Sequence, residues 1–233
     1  MVRIKDIPNY SQNLPFIENI LSGIAKYITW ILVHLPITGV EVTIVSIFFA
    51  LSGAFLSSIG YFELGFMFFC VFILLDHVDG QVARFKKESG KAGIYLDSRT
   101  HYIVEPLYFI GIGIGAFNTT YYINSWLYFM AGIMAAVFYL MRQTLKTGDL
   151  GYTQSRSMKS EKSIFGKINY LIFDFIRINN PISLMMFAIF FNFIGTALCI
   201  YAGLFFLNVM YSFYKTYKSL KNEDINDRIN PAT

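Results

Sequence analysis

The sequence predicts an all-α membrane protein with six transmembrane helices, preceded by a helix lying in the interface, with both termini cytoplasmic. Three observations carry this reading. Of the 233 residues, 55% are hydrophobic and only 15% are charged, whereas a soluble domain carries about 25% charged residues. Several apolar runs approach the roughly 20 residues needed to cross a bilayer. The basic residues collect on one side of those runs.

The elements follow in order. The opening MVRIKDIPNYSQNLPF has no apolar core after its charged start, so it is read as a retained segment, not a cleaved signal. Residues 16–35 mix Glu18, Lys26 and Trp30 with apolar neighbours, which suits an amphipathic helix in the interface. Residues 1–36 thus form an N-terminal cytoplasmic and interfacial unit, 37–218 the membrane domain, and 219–233 a polar cytoplasmic tail. Within the membrane domain the first span is expected from Val42 to Ser58 and the second from Phe62 to Asp76, continuing as helix into the cytosol. The third runs from near Gly93 to Phe117 and the fourth from Ile123 to Leu145. Pro181 to Tyr217 holds the fifth and sixth, with the turn at Asn192 to Thr196. Ile164, Phe165, Ile168, Leu171, Ile172, Phe175 and Ile176 recur at helical spacing and predict a second interfacial helix ahead of the fifth span. Cys70 and Cys199 lie inside apolar runs and read as small hydrophobes.

Charge placement tests the layout independently. The outer loops SSIGYF, FNTTYYIN and FNFIG contain no Lys or Arg, while Arg84, Lys86, Lys87, Lys91, Arg142, Lys146 and Arg156 fall on inner segments, and Lys215, Lys218, Lys221 and Arg228 in the tail. This is the positive-inside asymmetry. It accounts for the net charge of +4 with anionic lipid headgroups as counterpart and without a nucleic-acid partner.

The chemistry concentrates where the second and third spans meet, in LLDHVDGQVARFKKESGKAGIYLDSRTH. Asp76 and Asp79 stand at i and i+3 on one helix face, and Asp97 and His101 lie one turn apart on the next helix. Three converging carboxylates repel one another unless a cation joins them, and oxygen ligands favour a hard divalent ion, Mg2+ or Mn2+. Gly80, Ala83 and Gly93 keep the surroundings free of bulk, and Arg84 offers a fixed charge to a phosphate. A single aspartate here would read as a solvated helix end; three together at membrane depth read as a site.

These residues resemble the signature of the CDP-alcohol phosphotransferases, Asp-x-x-Asp-Gly-x-x-Ala-Arg followed by Gly-x-x-x-Asp-x-x-x-Asp. Asp76, Asp79, Gly80, Ala83, Arg84, Gly93 and Asp97 match in type and order. Upstream, Ile37-Thr38-Gly39-Val40-Glu41-Val42-Thr43 sits where such proteins often read Ile-Thr-Pro-Asn-x-Val-Thr. The likeness covers residues from about 37 to 117. Two departures stand out: Gly39 and Val40 replace the Pro-Asn pair, and His101 occupies the place of the fourth aspartate.

The resemblance implies transfer of a substituted phosphoryl group from a CDP-alcohol to an acceptor hydroxyl, with release of CMP. It implies Asp76, Asp79 and Asp97 as metal ligands, and Asp76, Gly80, Ala83, Arg84 and Gly93 at the nucleotide. It also implies a homodimer and a site facing the cytoplasm, in what is expected to be a prokaryotic cell membrane. The acceptor could be a lipid. His101 can take the acceptor proton as general base, can ligate the metal through one ring nitrogen, or can mark a chain that has lost catalysis. Arg142, at the inner end of the fourth span, is a candidate for an acceptor phosphate, although orientation alone would place a basic residue there. Glu105 is expected to pair locally near Pro106, His77 to lie on a helix surface, and His34 to be structural. Competing readings are another nucleotide-activated donor on the same fold, or a scaffold or transporter without catalysis. A transporter would show broken helices and polar groups at mid-membrane in several spans, and here the polar cluster sits at one face.

Overall fold

The computed structural model of the chain describes residues 3–7, 16–88, 90–120, 125–147, 185 and 188–229. After a 3-10 turn at Ile4–Asp6 come α1 (Phe16–Leu32), α2 (Gly39–Ser58), α3 (Phe62–Phe85), α4 (Lys91–Thr119), α5 (Ser125–Thr147) and α6 (Ile194–Ile229). All regular elements among the described residues are helical, as the composition predicted. The interfacial helix expected near 164–176 and most of the fifth span lie outside the described residues.

α2 shows how this chain makes a membrane-type core. Its start is fixed by a capping box: the Thr38 N–H donates to Glu41 Oε2 at 2.7 Å, and the Glu41 N–H donates to Thr38 Oγ1 at 3.3 Å. Its buried face is Gly39, Thr43, Ser46, Ala50, Gly53, Ala54 and Ser57, with Val42 the one larger member. The opposite face exposes Ile44, Val45, Phe48, Leu51 and Phe55. Small residues inside and large apolar ones outside are what helices use when lipid surrounds them, because close backbone approach supplies the attraction. The approach is tight at Gly53, where a Cβ would lie 2.8 Å from the Gly65 carbonyl of α3.

α2 lies against α3 and α4, α4 against α5, and α5 against α6. An aromatic core joins them. Phe69 of α3 stacks on Tyr108 of α4 with ring centres 4.1 Å apart, and Phe109 meets Tyr139 of α5 and Tyr201 and Phe205 of α6.

α1 has the apolar outer stripe expected of an interfacial helix, with Ile20, Ile24, Tyr27 and Ile31 exposed. It also has a firm inner partner. Ser22, Ala25 and Thr29 are buried against α3, where Thr29 Oγ1 donates to Gln81 Oε1 at 2.8 Å and Gln81 Nε2 donates to the Ser22 carbonyl at 3.4 Å. Lys86 Nζ then donates to the carbonyls of Leu35 and Ile37, each at 2.7 Å, and ties the α1–α2 connection to the end of α3.

Among the described residues, α2, α5 and the first part of α6 (Ile194–Lys218) are long and apolar enough to cross a membrane. α3 and α4 are long enough but dilute their apolar stretches with Glu63, Asp76, Asp79 and Arg84, and with Lys91, Asp97, Arg99 and Glu105. Of the turn expected at Asn192 to Thr196, Asn192 turns the chain at φ 57°, while Ile194 to Thr196 already belong to α6. α6 does not stop at the expected tail boundary of 219. Its 36 residues span about 54 Å at roughly 1.5 Å per residue, well beyond a hydrocarbon core of about 30 Å.

Candidate active site

The last turns of α3 and the first turns of α4 bring the predicted residues together. Gly93, Asp97, His101 and Glu105 recur every four residues and so share one face of α4, and that face meets Asp76. His101 Nε2 stands 3.0 Å from Asp76 Oδ1 and 3.9 Å from Asp97 Oδ1. On its other side, His101 Nδ1 stands 3.0 Å from Glu105 Oε1. The donor atoms of Asp76, Asp97 and His101 all lie within 4.8 Å of one another. Ligand bonds of about 2.0–2.2 Å put two donors at most about 4.4 Å apart across one divalent ion, so small side-chain shifts close this trio on a metal. The donor set therefore fits a metal.

Asp79 lies one turn further along α3, three residues past the apolar stretch, and is not in that trio. It is buried, and its Oδ2 is 2.5 Å from Thr43 Oγ1 of α2. Burial pushes its carboxyl up to about 8, and the Asp76 charge adds to the effect while Thr43 opposes it. Thr43 Oγ1 donates to Asp79 Oδ2 and is also 3.1 Å from the Gly39 carbonyl. α2 reaches this point because Gly39, its first residue, has no side chain. A Cβ there would lie 2.9 Å from both Ala83 Cβ and the Asp79 carbonyl.

Two recesses flank the carboxylates. The first is a cleft bounded by the start of α2, the end of α3 and the start of α4, and Asp79, Gly80, Ala83, Arg84, Gly93 and Asp97 all line it. The Arg84 guanidinium folds back over Gly80, where a Cβ would sit 3.1 Å from one of its nitrogens. Gly93 faces open space. Every residue expected at the nucleotide end except Asp76 is on this wall. The second recess lies between α4 and α5 and is lined by His101, Glu105, Tyr139, Arg142 and Gln143, with Lys91 and Arg99 at its edge. Arg142 is buried there rather than reaching into solvent. Asp97 borders the first recess and His101 the second, so the Asp76–Asp97–His101 trio stands between them.

One expectation needs correcting. His77 is buried, not on a helix surface, because α3 is flanked by both α1 and α2 at this level. Glu105 pairs locally, as expected, and its partner is the His101 ring one turn back. Thr43, which the upstream likeness includes without a role, holds Asp79, and Gln81, which carried no sequence signal, anchors α1 to α3 beside the site. His34 is structural as expected, with its Nδ1 2.7 Å from the Trp30 carbonyl.

Compared with known proteins, no curated sequence matches this chain. The model of one family, described as CDP-alcohol phosphatidyltransferase, matches residues 35–213. That match covers well over half of the 233 residues and the whole of the two-recess site, and the chain belongs to the CDP-alcohol phosphatidyltransferase family.

Proposed function

We propose that this integral membrane protein transfers a substituted phosphoryl group from a CDP-alcohol to an acceptor hydroxyl and releases CMP, in the synthesis of a phospholipid or related phosphodiester. The observation that carries the reading is the Asp76–Asp97–His101 trio standing between a cleft with Arg84 and a recess with Arg142. A displacement at phosphorus needs donor and acceptor on opposite sides of the reacting phosphate, and the two recesses offer those sides.

Asp76, Asp79 and Asp97 would hold the divalent cation, Mg2+ or Mn2+, with Asp79 approaching it from one turn further along α3. When bound, it offsets the repulsion between carboxylates and diphosphate and stabilises charge on the leaving phosphate. Gly80, Ala83 and Gly93 leave room for the nucleotide, and Arg84 meets its phosphate. Arg142 serves an anionic group on the acceptor. A P–O bond forms to the acceptor oxygen, the P–O bond to CMP breaks, and the hydroxyl proton departs on the recess side, where His101 is. His101 has two jobs open to it, taking that proton or ligating the cation. Around this chemistry we place six spans with both termini and the site on the cytoplasmic face, following the distribution of Lys and Arg. A homodimer is what family membership suggests.

The test is CMP release by purified protein from CDP-alcohols, with and without Mg2+ or Mn2+, with other nucleoside diphosphate donors alongside. Metal-dependent CMP release supports the proposal. Silence from the natural chain, with release restored by His101→Asp, would mean that the chain has given up the reaction.

A further inference from the structure

We propose that His101 is a nitrogen ligand of the site's divalent cation, with Glu105 as the positioning residue that fixes its tautomer, so that the centre prefers Mn2+ over Mg2+. This rests on the phosphotransferase reading and deepens it by naming the cofactor class.

The argument starts from the two ring nitrogens. Nδ1 is 3.0 Å from Glu105 Oε1, a carboxylate that can only accept when ionised. Nδ1 therefore carries the N–H, and Nε2, which lies equally close to the Asp76 carboxylate, holds a proton there or gives its lone pair to a cation that takes that proton's place. Nε2 faces Asp76 Oδ1 at 3.0 Å and Asp97 Oδ1 at 3.9 Å. Nε2 and two carboxylate oxygens thus converge on one point, where a divalent cation can replace the proton between Nε2 and Asp76 and join all three. An imidazole whose far nitrogen is held by a carboxylate while its near nitrogen joins carboxylate oxygens is the arrangement proteins use to orient a metal-ligating histidine.

Donor type then sets metal preference. Mg2+ favours oxygen ligands and water and gives up its hydration reluctantly. Exchanging one oxygen for an imidazole nitrogen moves a site toward first-row transition ions, which bind nitrogen better. Such an exchange occurs here, because His101 stands where the signature has an aspartate. In the base role, by contrast, Nε2 would need to be free toward the acceptor and the identity of the cation would be indifferent to His101.

The test uses the full-length protein in detergent. Mn2+ binding is followed by the loss of the free-ion EPR signal, Mg2+ by competition, and ligation by the 14N coupling in pulsed EPR. The expected results are a 14N coupling in the natural chain that is absent from His101→Asp, and a Mn2+-over-Mg2+ affinity ratio that falls in that variant. Glu105→Ala is expected to weaken Mn2+ by about 10- to 100-fold, the usual cost of losing a partner that orients a ligand. Glu105→Gln, which keeps an acceptor for Nδ1–H, recovers part of that loss. Mn2+ bound without 14N coupling, a coupling that persists in His101→Asp, or an unchanged ion ratio overturns this inference and leaves the proposed function standing. If neither ion promotes CDP binding, the proposed function falls, and this inference with it.

Discussion

The contact at Gly39 makes a quantitative prediction. Gly39→Ala places a Cβ 2.9 Å from both Ala83 Cβ and the Asp79 carbonyl. Carbon–carbon contacts settle at about 3.5–4.0 Å, so α2 and α3 must separate there by about 0.6–1 Å. Overpacking of this kind costs about 1–3 kcal/mol. Helix propensity returns at most about 1 kcal/mol on replacing Gly by Ala, and less at the first residue of a helix. The net loss is about 1–2 kcal/mol, or a Tm lowered by about 2–8 °C for a chain of this size. The displacement also draws Thr43 away from Asp79, whose contact is 2.5 Å. Misplacement by about 1 Å near a reacting centre lowers turnover by about 100-fold. Gly93→Ala is the internal control. A Cβ there meets nothing within 4 Å, so this variant should hold or raise the Tm while the new methyl group crowds the nucleotide cleft and weakens CDP binding. Thermal unfolding in detergent and metal-dependent CDP binding measure both effects. A Gly39→Ala protein with natural Tm and natural turnover would refute the reasoning.

Other substitutions test the remaining parts. Asp79→Ala should abolish metal-dependent CDP binding without unfolding the chain, measured by calorimetry beside a thermal scan. Gln81→Leu leaves the Thr29 hydroxyl without its 2.8 Å partner in a buried place and should cost about 1–3 kcal/mol, read as a lowered Tm that a Thr29→Val, Gln81→Leu double variant partly recovers. Arg142→Gln should raise the KM for an anionic acceptor and leave CDP affinity as it was; an unchanged acceptor KM would remove Arg142 from the acceptor site.

The parts legible in the sequence are those with a fixed spacing. The i, i+3 step from Asp76 to Asp79 and the four-residue steps from Gly93 through Asp97 to His101 needed only helical geometry to become one face each. Asn192 marked a turn between apolar runs. What was not legible depends on contacts between elements distant in sequence. Gln81 reads as an unassigned position of the signature, and only the packing of α1 shows why an amide sits there. His77 looks like a helix-surface residue until α1 and α2 cover α3. The length of α6 was hidden because its polar end resembles a tail by composition, although nothing in Lys218 to Arg228 breaks a helix.

The inverted layout of α2 has a consequence for how this protein tolerates change. In a water-soluble protein, exposed positions accept most substitutions and large buried side chains are the sensitive ones. Here Phe48, Phe55 and Ile44 face outward and can exchange freely for any aliphatic residue, while the smallest residues, Gly39, Gly53 and Ser57, admit almost nothing larger. A mutational scan of this chain should therefore read inside out, with intolerance tracking the absence of side-chain volume.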